Sequence, residues 1–211
     1  MLRKKISEIY IKIASFNRKK FINRKNRKIL KNNEFTLISS NCTGAFIQND
    51  LNLKFLTPTI NLFFFANDFV KFAENLNFYL NENLEVVSTD KYKYPVGRIK
   101  DIEIHFMHYK SFEEAKEQWE NRTKRINFDN IFIMMTYRDG CNEETIKRFE
   151  KLPYKNKVLF TNREFKQYPS TFYIKGFENQ ECVGHLYKYE NILGKKYYDN
   201  FNYVKWFNNK K

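Results

Sequence analysis

Short apolar runs alternate along this chain with stretches whose apolar residues recur every three or four positions. Phe35 to Ser39 reads as a buried strand, followed by the polar turn Ser40-Asn41-Cys42-Thr43-Gly44 and a helix over Ala45 to Leu51. After the break at Thr57-Pro58-Thr59, Ile60 to Phe65 predicts a second strand. Asn67 is placed to cap a helix carrying Phe69, Phe72, Ala73, Leu76 and Leu80 on one face. Glu85 to Ser88 predicts a short strand. Arg98 to His108 predicts a longer one, with Ile102, Ile104 and Phe106 opposite Asp101, Glu103 and His105.

Further on, Ser111-Phe112-Glu113-Glu114 is a capping box that opens a helix through Ala115, Trp119 and Arg122. Ile131 to Met135 has the unbroken apolar character of a central strand covered on both faces. Asn142, with Glu143 and Glu144 behind it, starts another helix, and Lys157 to Phe160 is a last short strand. Strands separated by helices predict βαβ units. The expected fold is therefore α/β, a three-layer, mainly parallel, Rossmann-like sheet over residues 34–211. Its C-terminal piece, from about Tyr168, is aromatic and less regular.

The first 33 residues follow another pattern. Leu2, Ile6, Ile9, Tyr10, Ile13 and Phe16 fall within roughly 120° of a helical projection. Lys4, Lys5, Lys12, Arg18 and Lys19 lie outside that arc. This is a basic amphipathic leader. It could pack on its own domain, lie on an anionic membrane surface through Lys4, Lys5, Lys12, Ile6, Ile9 and Ile13, or contact nucleic acid. A wide apolar stripe suits lipid better than phosphate, so the membrane ranks above nucleic acid.

Composition narrows the choice. Phe, Ile, Leu and Val make up 61 of 211 residues, enough for a folded core. No apolar run is longer than the five residues of Leu62 to Ala66, too short to span a membrane. The net charge is +14, but residues 1–31 carry 12 Lys and Arg against one acid. The remaining residues are close to balanced, so basicity belongs to the leader. Three cysteines without CxxC spacing, and no secretory signal, fit a cytoplasmic protein, which the leader could hold at the inner membrane face.

Ligands of parallel sheets bind beyond the carboxyl ends of strands. The loop Ser39 to Gly44 offers Asn41, Cys42 and Gly44 as substrate-binding groups for a phosphate. The loop after the central strand offers Arg138 for phosphate and Asp139 as a base or ligand of a divalent cation. Asp101, Glu103 and His105 share one strand face, with His108 just beyond; two carboxylates and an imidazole in a row can share a metal or a proton, with Glu103 and His105 as candidate acid/base groups. Each feature has a plain structural alternative: a capped turn, an Asp-Gly turn, a polar strand face.

Residues 36–48, 57–65, 94–108, 109–120 and 138–161 resemble a bacterial domain-of-unknown-function family. Its members are labelled exopolysaccharide biosynthesis proteins and occur in capsule and surface-polysaccharide gene clusters. The resemblance runs from about residue 34 to Trp206 and implies an α/β fold. Asn41-Cys42 with Gly44, Pro95-Val96-Gly97, Asp101 to His108 and Asp139-Gly140-Cys141 carry it. Where that family often has an acidic residue before the Arg-Asp-Gly turn, this chain has Tyr137, which speaks against a two-carboxylate metal site. The resemblance brings no established reaction with it; the gene-cluster association and the placement of the two loops together favour a surface-polysaccharide enzyme, expected as a glycosyltransferase-like transferase acting on a sugar nucleotide or lipid-linked glycan. The alternatives are a non-catalytic membrane-associated assembly factor and a nucleic-acid binder acting through the leader.

Overall fold

A computed structural model describes residues 2–209, with side chains from Lys5 onward. The Lys4 side chain therefore lies outside the described residues.

A four-stranded parallel sheet forms the centre, in the order β1 (Thr36–Ser39), β5 (Ile131–Thr136), β6 (Asn156–Thr161), β7 (Thr171–Tyr173). Alternate side chains of β5 serve opposite faces, which is why its run is apolar throughout. Ile133 and Met135 join a core with Ile38, Leu159 and the helices α4 (Ala66–Glu74), α6 (Phe112–Thr123) and α7 (Glu143–Glu150). Phe132 and Met134 join a second core with Leu37, Phe160, α3 (Thr43–Leu51) and the aromatic C-terminal segment ending in α8 (Tyr203–Phe207). The protein is thus a mixed α/β fold with layers on both faces of a mainly parallel sheet.

Both predicted caps at Ser111 and Asn142 form: their side chains accept from Glu114 N–H (3.2 Å) and Thr145 N–H (3.0 Å). Three predictions need correction. Arg98 to His108 is not one strand but a hairpin, β3 (Val96–Ile99) and β4 (Ile102–His105), turning at Lys100 with φ +54°. With β2 (Glu85–Val86) it makes a separate antiparallel sheet. Ile60 to Phe65 is not a strand either. Asn61 turns it at φ +62°, after which Phe63 bridges β4 at His105 and Phe64 N–H reaches Ser40 O at the end of β1 (3.0 Å). The segment stitches the two sheets together, and its partners lie far away in sequence. Finally, Asn67 caps no helix: α4 starts at Ala66, and the Asn67 amide oxygen accepts from the Thr145 hydroxyl instead. The helix also breaks at Asn75, so that Leu76–Leu80 forms a separate turn, α5.

The leader is helical from Leu2 to Asn17 (α1), passes through a π-helical turn at Arg18–Asn23, and ends in α2 (Arg24–Ile29). Arg18, expected on the solvated side, is the largest fully buried side chain among the described residues. Its guanidinium donates to Asp50 (2.7 Å), bidentately to Asp199 (2.6 and 3.1 Å), to Gly194 O (2.9 Å) and to Tyr198 Oη (3.1 Å). Lys196 and Tyr198 also bond Asp50. The π turn has a reason. Five-residue spacing puts Asn23 on the same face as Arg18, where its amide donates to the other Asp50 oxygen (3.0 Å). Gly194, at φ +91°, permits the close approach, since a Cβ there would stand 2.5 Å from Arg18 N and 2.6 Å from Ala14 O.

Burial alone would favour the neutral forms of these groups, yet Arg18 is held more firmly protonated by its carboxylates. Burial likewise pushes Asp50 up, but Arg18 and Lys196 override it and hold the carboxyl below its ordinary value. Removing one partner would strand the others in a dry site. Arg18→Leu is expected to cost about 3–5 kcal/mol in urea unfolding at neutral pH. Arg18→Lys should recover little, because an ammonium cannot reproduce the planar fork on Asp199.

Candidate functional site

The connections leaving β1 and β5 diverge. β1 passes its chain to α3, whose Ile47 and Leu51 pack with Leu37, Phe132 and Met134. β5 passes its chain to α7, whose Ile146 and Phe149 pack on the opposite face with Ile133 and Met135. Two adjacent parallel strands whose continuations turn to opposite faces leave a crevice at their carboxyl ends. A cleft of about 380 Å³ opens there. Asn41, Cys42 and Thr43 from the first loop and Arg138 and Asp139 from the second line it together. His108 contributes from beyond β4, and His185 and Tyr187 close the cleft from the C-terminal segment.

Three of its polar groups are coupled. Asp139 sits at φ +55°, where Asp is among the tolerated residues, and accepts from Arg138 Nε (3.1 Å). Burial pushes its carboxyl above the ordinary value, while Arg138 opposes the shift. Arg138 Nη1 stands 3.5 Å from His185 Nδ1, and burial with the nearby cations Arg138 and Lys188 lowers the His185 pKa. Val183 N–H bonds Tyr137 O (2.9 Å), which fixes the C-terminal wall to the β5 loop. The remaining walls are aromatic. Phe46 and Tyr187 stack with centroids 4.4 Å apart, and Phe63 meets Tyr94 edge to face.

The first loop is organised by itself. Asn41 Oδ1 accepts from Thr43 N–H (3.0 Å) and Ser39 Oγ from Gly44 N–H (3.3 Å). These amides at the start of α3 are therefore engaged, and a phosphate would have to displace those bonds. Gly44 is buried outside the cleft, where an added Cβ would come within 2.7 Å of Ser39 Cβ; its smallness serves packing. Cys42 lines the cleft with its thiol directed at Leu62 O (3.8 Å), and burial raises its pKa, so it stands as a thiol.

Glu103 and His105 are not brought to this cleft. Glu103 pairs with Arg98 across the hairpin (2.7 Å). His105 is fully buried in a box of Phe63, Phe65, Tyr92 and Tyr94, stacked on Phe63 at 4.6 Å. Neither ring nitrogen has a hydrogen-bond partner among the described residues. Tyr137 packs between the two cores, its ring 5.8 Å from that of Phe165. Among the described residues no three His, Cys, Asp or Glu side chains group with metal-binding geometry.

A second cavity of about 410 Å³ adjoins the first. It is walled by Ala45, Phe55, Ile60 and Arg122 and shares Cys42, Phe46 and His108 with the cleft. Arg122 donates one N–H to Tyr109 Oη (2.6 Å), leaving other donors for an anion. His185, Tyr187, Tyr94, Phe46 and Arg122 were not legible as site residues. The strongest of them, His185, is 47 residues from Arg138, and no local spacing announces such a pair.

The fold and crevice define an α/β protein with a ligand-sized, aromatic-walled cleft at the carboxyl edge of its parallel sheet. Residues 13–208 match the family described as "Domain of unknown function (DUF1919)", and the chain belongs to that family. A protein of Haemophilus influenzae (strain ATCC 51907 / DSM 11121 / KW20 / Rd), described as an "Uncharacterized protein", is 50% identical over 188 residues. That match covers 89% of this chain and 91% of the relative. The family match begins inside α1, before the resemblance legible in the sequence, so the buried Arg18 falls within the family domain.

The isolation of His105 gives a pH prediction. Burial lowers its pKa below the ordinary 6.5, so the unfolded chain takes up a proton that the folded protein refuses. Stability should then fall as pH drops below about 6.5 and rise with pH through that window. His105→Phe fills the box without polar atoms and should flatten this part of the acid limb in thermal melts between neutral and mildly acidic pH. An unchanged slope would show that the ring is protonated inside its box.

Proposed function

We propose that this protein acts in surface-polysaccharide assembly as a transferase whose cleft takes a sugar carried on a phosphate, either a sugar nucleotide or a lipid-linked glycan. One observation carries the proposal: the loops after β1 and β5 open into a single cleft, and a second cavity meets it at Cys42, Phe46 and His108. A transferase needs two compartments that share the reacting point. Aromatic walls suit the apolar faces of sugar rings, and Arg138 and Arg122 offer one guanidinium to each compartment.

In this scheme Arg138 binds the donor's phosphate. Asp139 takes the proton from an acceptor hydroxyl as that oxygen bonds to the sugar's anomeric carbon and the phosphate departs with the bond electrons. Its raised pKa brings the carboxylate toward the range where a general base works near neutral pH. Any divalent cation would arrive with the donor's phosphates. The basic leader would concentrate the protein on an anionic membrane, close to a lipid-linked substrate. The exposure of Ile6, Ile9, Ile13 and Phe16 on α1 also fits the second class, a non-catalytic membrane-associated assembly factor.

Calorimetric titration with a panel of nucleoside-diphosphate sugars and a lipid-phosphate glycan separates the two. Arg138→Gln should weaken binding by about tenfold or more, as loss of a charge-assisted pair implies. Asp139→Asn, which tolerates the same backbone, should bind normally yet lose turnover by about 100-fold or more. Absence of binding to every compound, with normal surface polymer from an Asp139→Asn strain, would overturn the transferase and leave the assembly factor.

A further inference from the structure

Helix α1 presents its apolar stripe to solvent and not to the body. Going round the helix at 100° per residue from the body-facing Ala14, the described side chains run the half-buried Tyr10 and Asn17, then Ile6, Ile13, Ile9 and Phe16, then Lys5 and Lys12. Ile6, Ile9, Ile13 and Phe16 are all exposed, while Ala14 is fully buried. Lys20 lies over the rings of Phe16 and Phe21, keeping a cation beside the stripe.

The flank between stripe and body carries a second element. Asn17, about 40° round from Ile13, donates its amide to Ile192 O (2.9 Å). Arg18 binds Gly194 O in the same loop, and Gly194 packs directly on the α1 backbone. The tight turn Asn191–Gly194 is closed by Gly194 N–H to Asn191 O (3.2 Å) and Leu193 N–H to Asn191 Oδ1 (3.1 Å). It therefore holds Ile192 and Leu193 beside the stripe. Leu193 is 69% exposed, more than any other large apolar side chain among the described residues, and Ile192 is exposed as well.

We infer that the Asn191–Gly194 turn is a second membrane-contacting element, which together with the α1 stripe forms one apolar patch for the headgroup boundary of an anionic bilayer. The inference rests on the membrane part of the proposed function and adds a segment some 175 residues away in the chain. Charge complementarity chooses the occupant. Arg18 is used inside the protein, but Lys5, Lys12, Lys19 and Lys20 are exposed and suit anionic lipid, and Lys5 and Lys12 edge the patch where phosphates would lie. A second copy of the chain would set those cations against themselves. The buried Arg18 cluster is the mechanical link, because it locks turn and helix into one rigid insertion surface instead of two independent ones.

The full-length protein would be sedimented with phosphatidylcholine vesicles and with mixed vesicles of phosphatidylcholine and phosphatidylglycerol. Binding to the mixed vesicles is expected, weakened about tenfold or more by Ile192→Ser with Leu193→Ser, as withdrawal of two apolar side chains implies. The thermal midpoint of that variant should not change, since both side chains are solvent-exposed. In a Leu193→Trp variant, emission should be quenched by lipids brominated in the upper acyl chain. If the wild-type protein binds mixed vesicles and the serine variant binds equally well, the role of the turn is refuted and the helix remains. If the wild-type protein binds no vesicle, the membrane reading fails and takes the inference with it. If the wild-type protein is a dimer that the serine variant dissociates, the patch is a self-association surface and the inference is overturned.

Discussion

The buried guanidinium of Arg18 ties together three parts of the chain that no secondary structure joins: the leader, helix α3 through Asp50, and the C-terminal segment through Gly194, Tyr198 and Asp199. A lone buried cation would be prohibitively costly, so the site exists only when all three are assembled. Its geometry bears on the cleft. Phe46 lies one turn before Asp50 on α3, and Lys196, itself bonded to Asp50, sits 5.5 Å over the Phe46 ring. Tyr187 stacks on Phe46 from the C-terminal segment. The charge cluster thus braces two walls of the cleft from behind.

In front of that brace, the cleft follows from topology. Strands β1 and β5 are neighbours, yet their helices cover opposite faces of the sheet, and the gap between the departing loops cannot be filled by either. The antiparallel hairpin and the Phe63 bridge then add a lateral wall of aromatic rings. The charged chemistry is concentrated where Arg138, Asp139 and His185 sit together, with Asn41, Thr43 and His108 adding polar groups to the lining. A mostly apolar cavity with a few convergent charged groups is the usual form of a small-molecule site.

How much of this the sequence disclosed depends on the range of the interactions. Asn142 and Ser111 were legible as caps because their partners are three residues away. The five apolar residues Ile131 to Met135 were legible as a central strand because burial on both faces leaves no polar position. Arg98 to His108 misled because its alternation is compatible with both one strand and a hairpin; only Lys100 at positive φ distinguishes them, and lysine does not advertise that conformation. Asn41, Cys42, Arg138 and Asp139 were found by their place after strands, whereas His185 and Tyr187 come from a segment without regular structure. His105 looked like an acid/base group on a polar face, but aromatic residues from two other segments enclose it.

The sequence by itself determined the layered α/β class, the central strand, the two loops at its carboxyl edge and the amphipathic, basic nature of the leader. These rest on periodicity and on contacts within a few residues, which composition and spacing encode directly. Tertiary structure alone decided that the two loops share one cleft, that His105 is sealed away, and that Arg18 faces inward while the isoleucines of α1 face outward. An amphipathic helix has an apolar side and a charged side in any setting. Here neither the isoleucine stripe nor the lysines go inward; Ala14 and Arg18 do, because the rest of the chain offers two carboxylates, a tyrosine hydroxyl and a carbonyl arranged to receive a guanidinium.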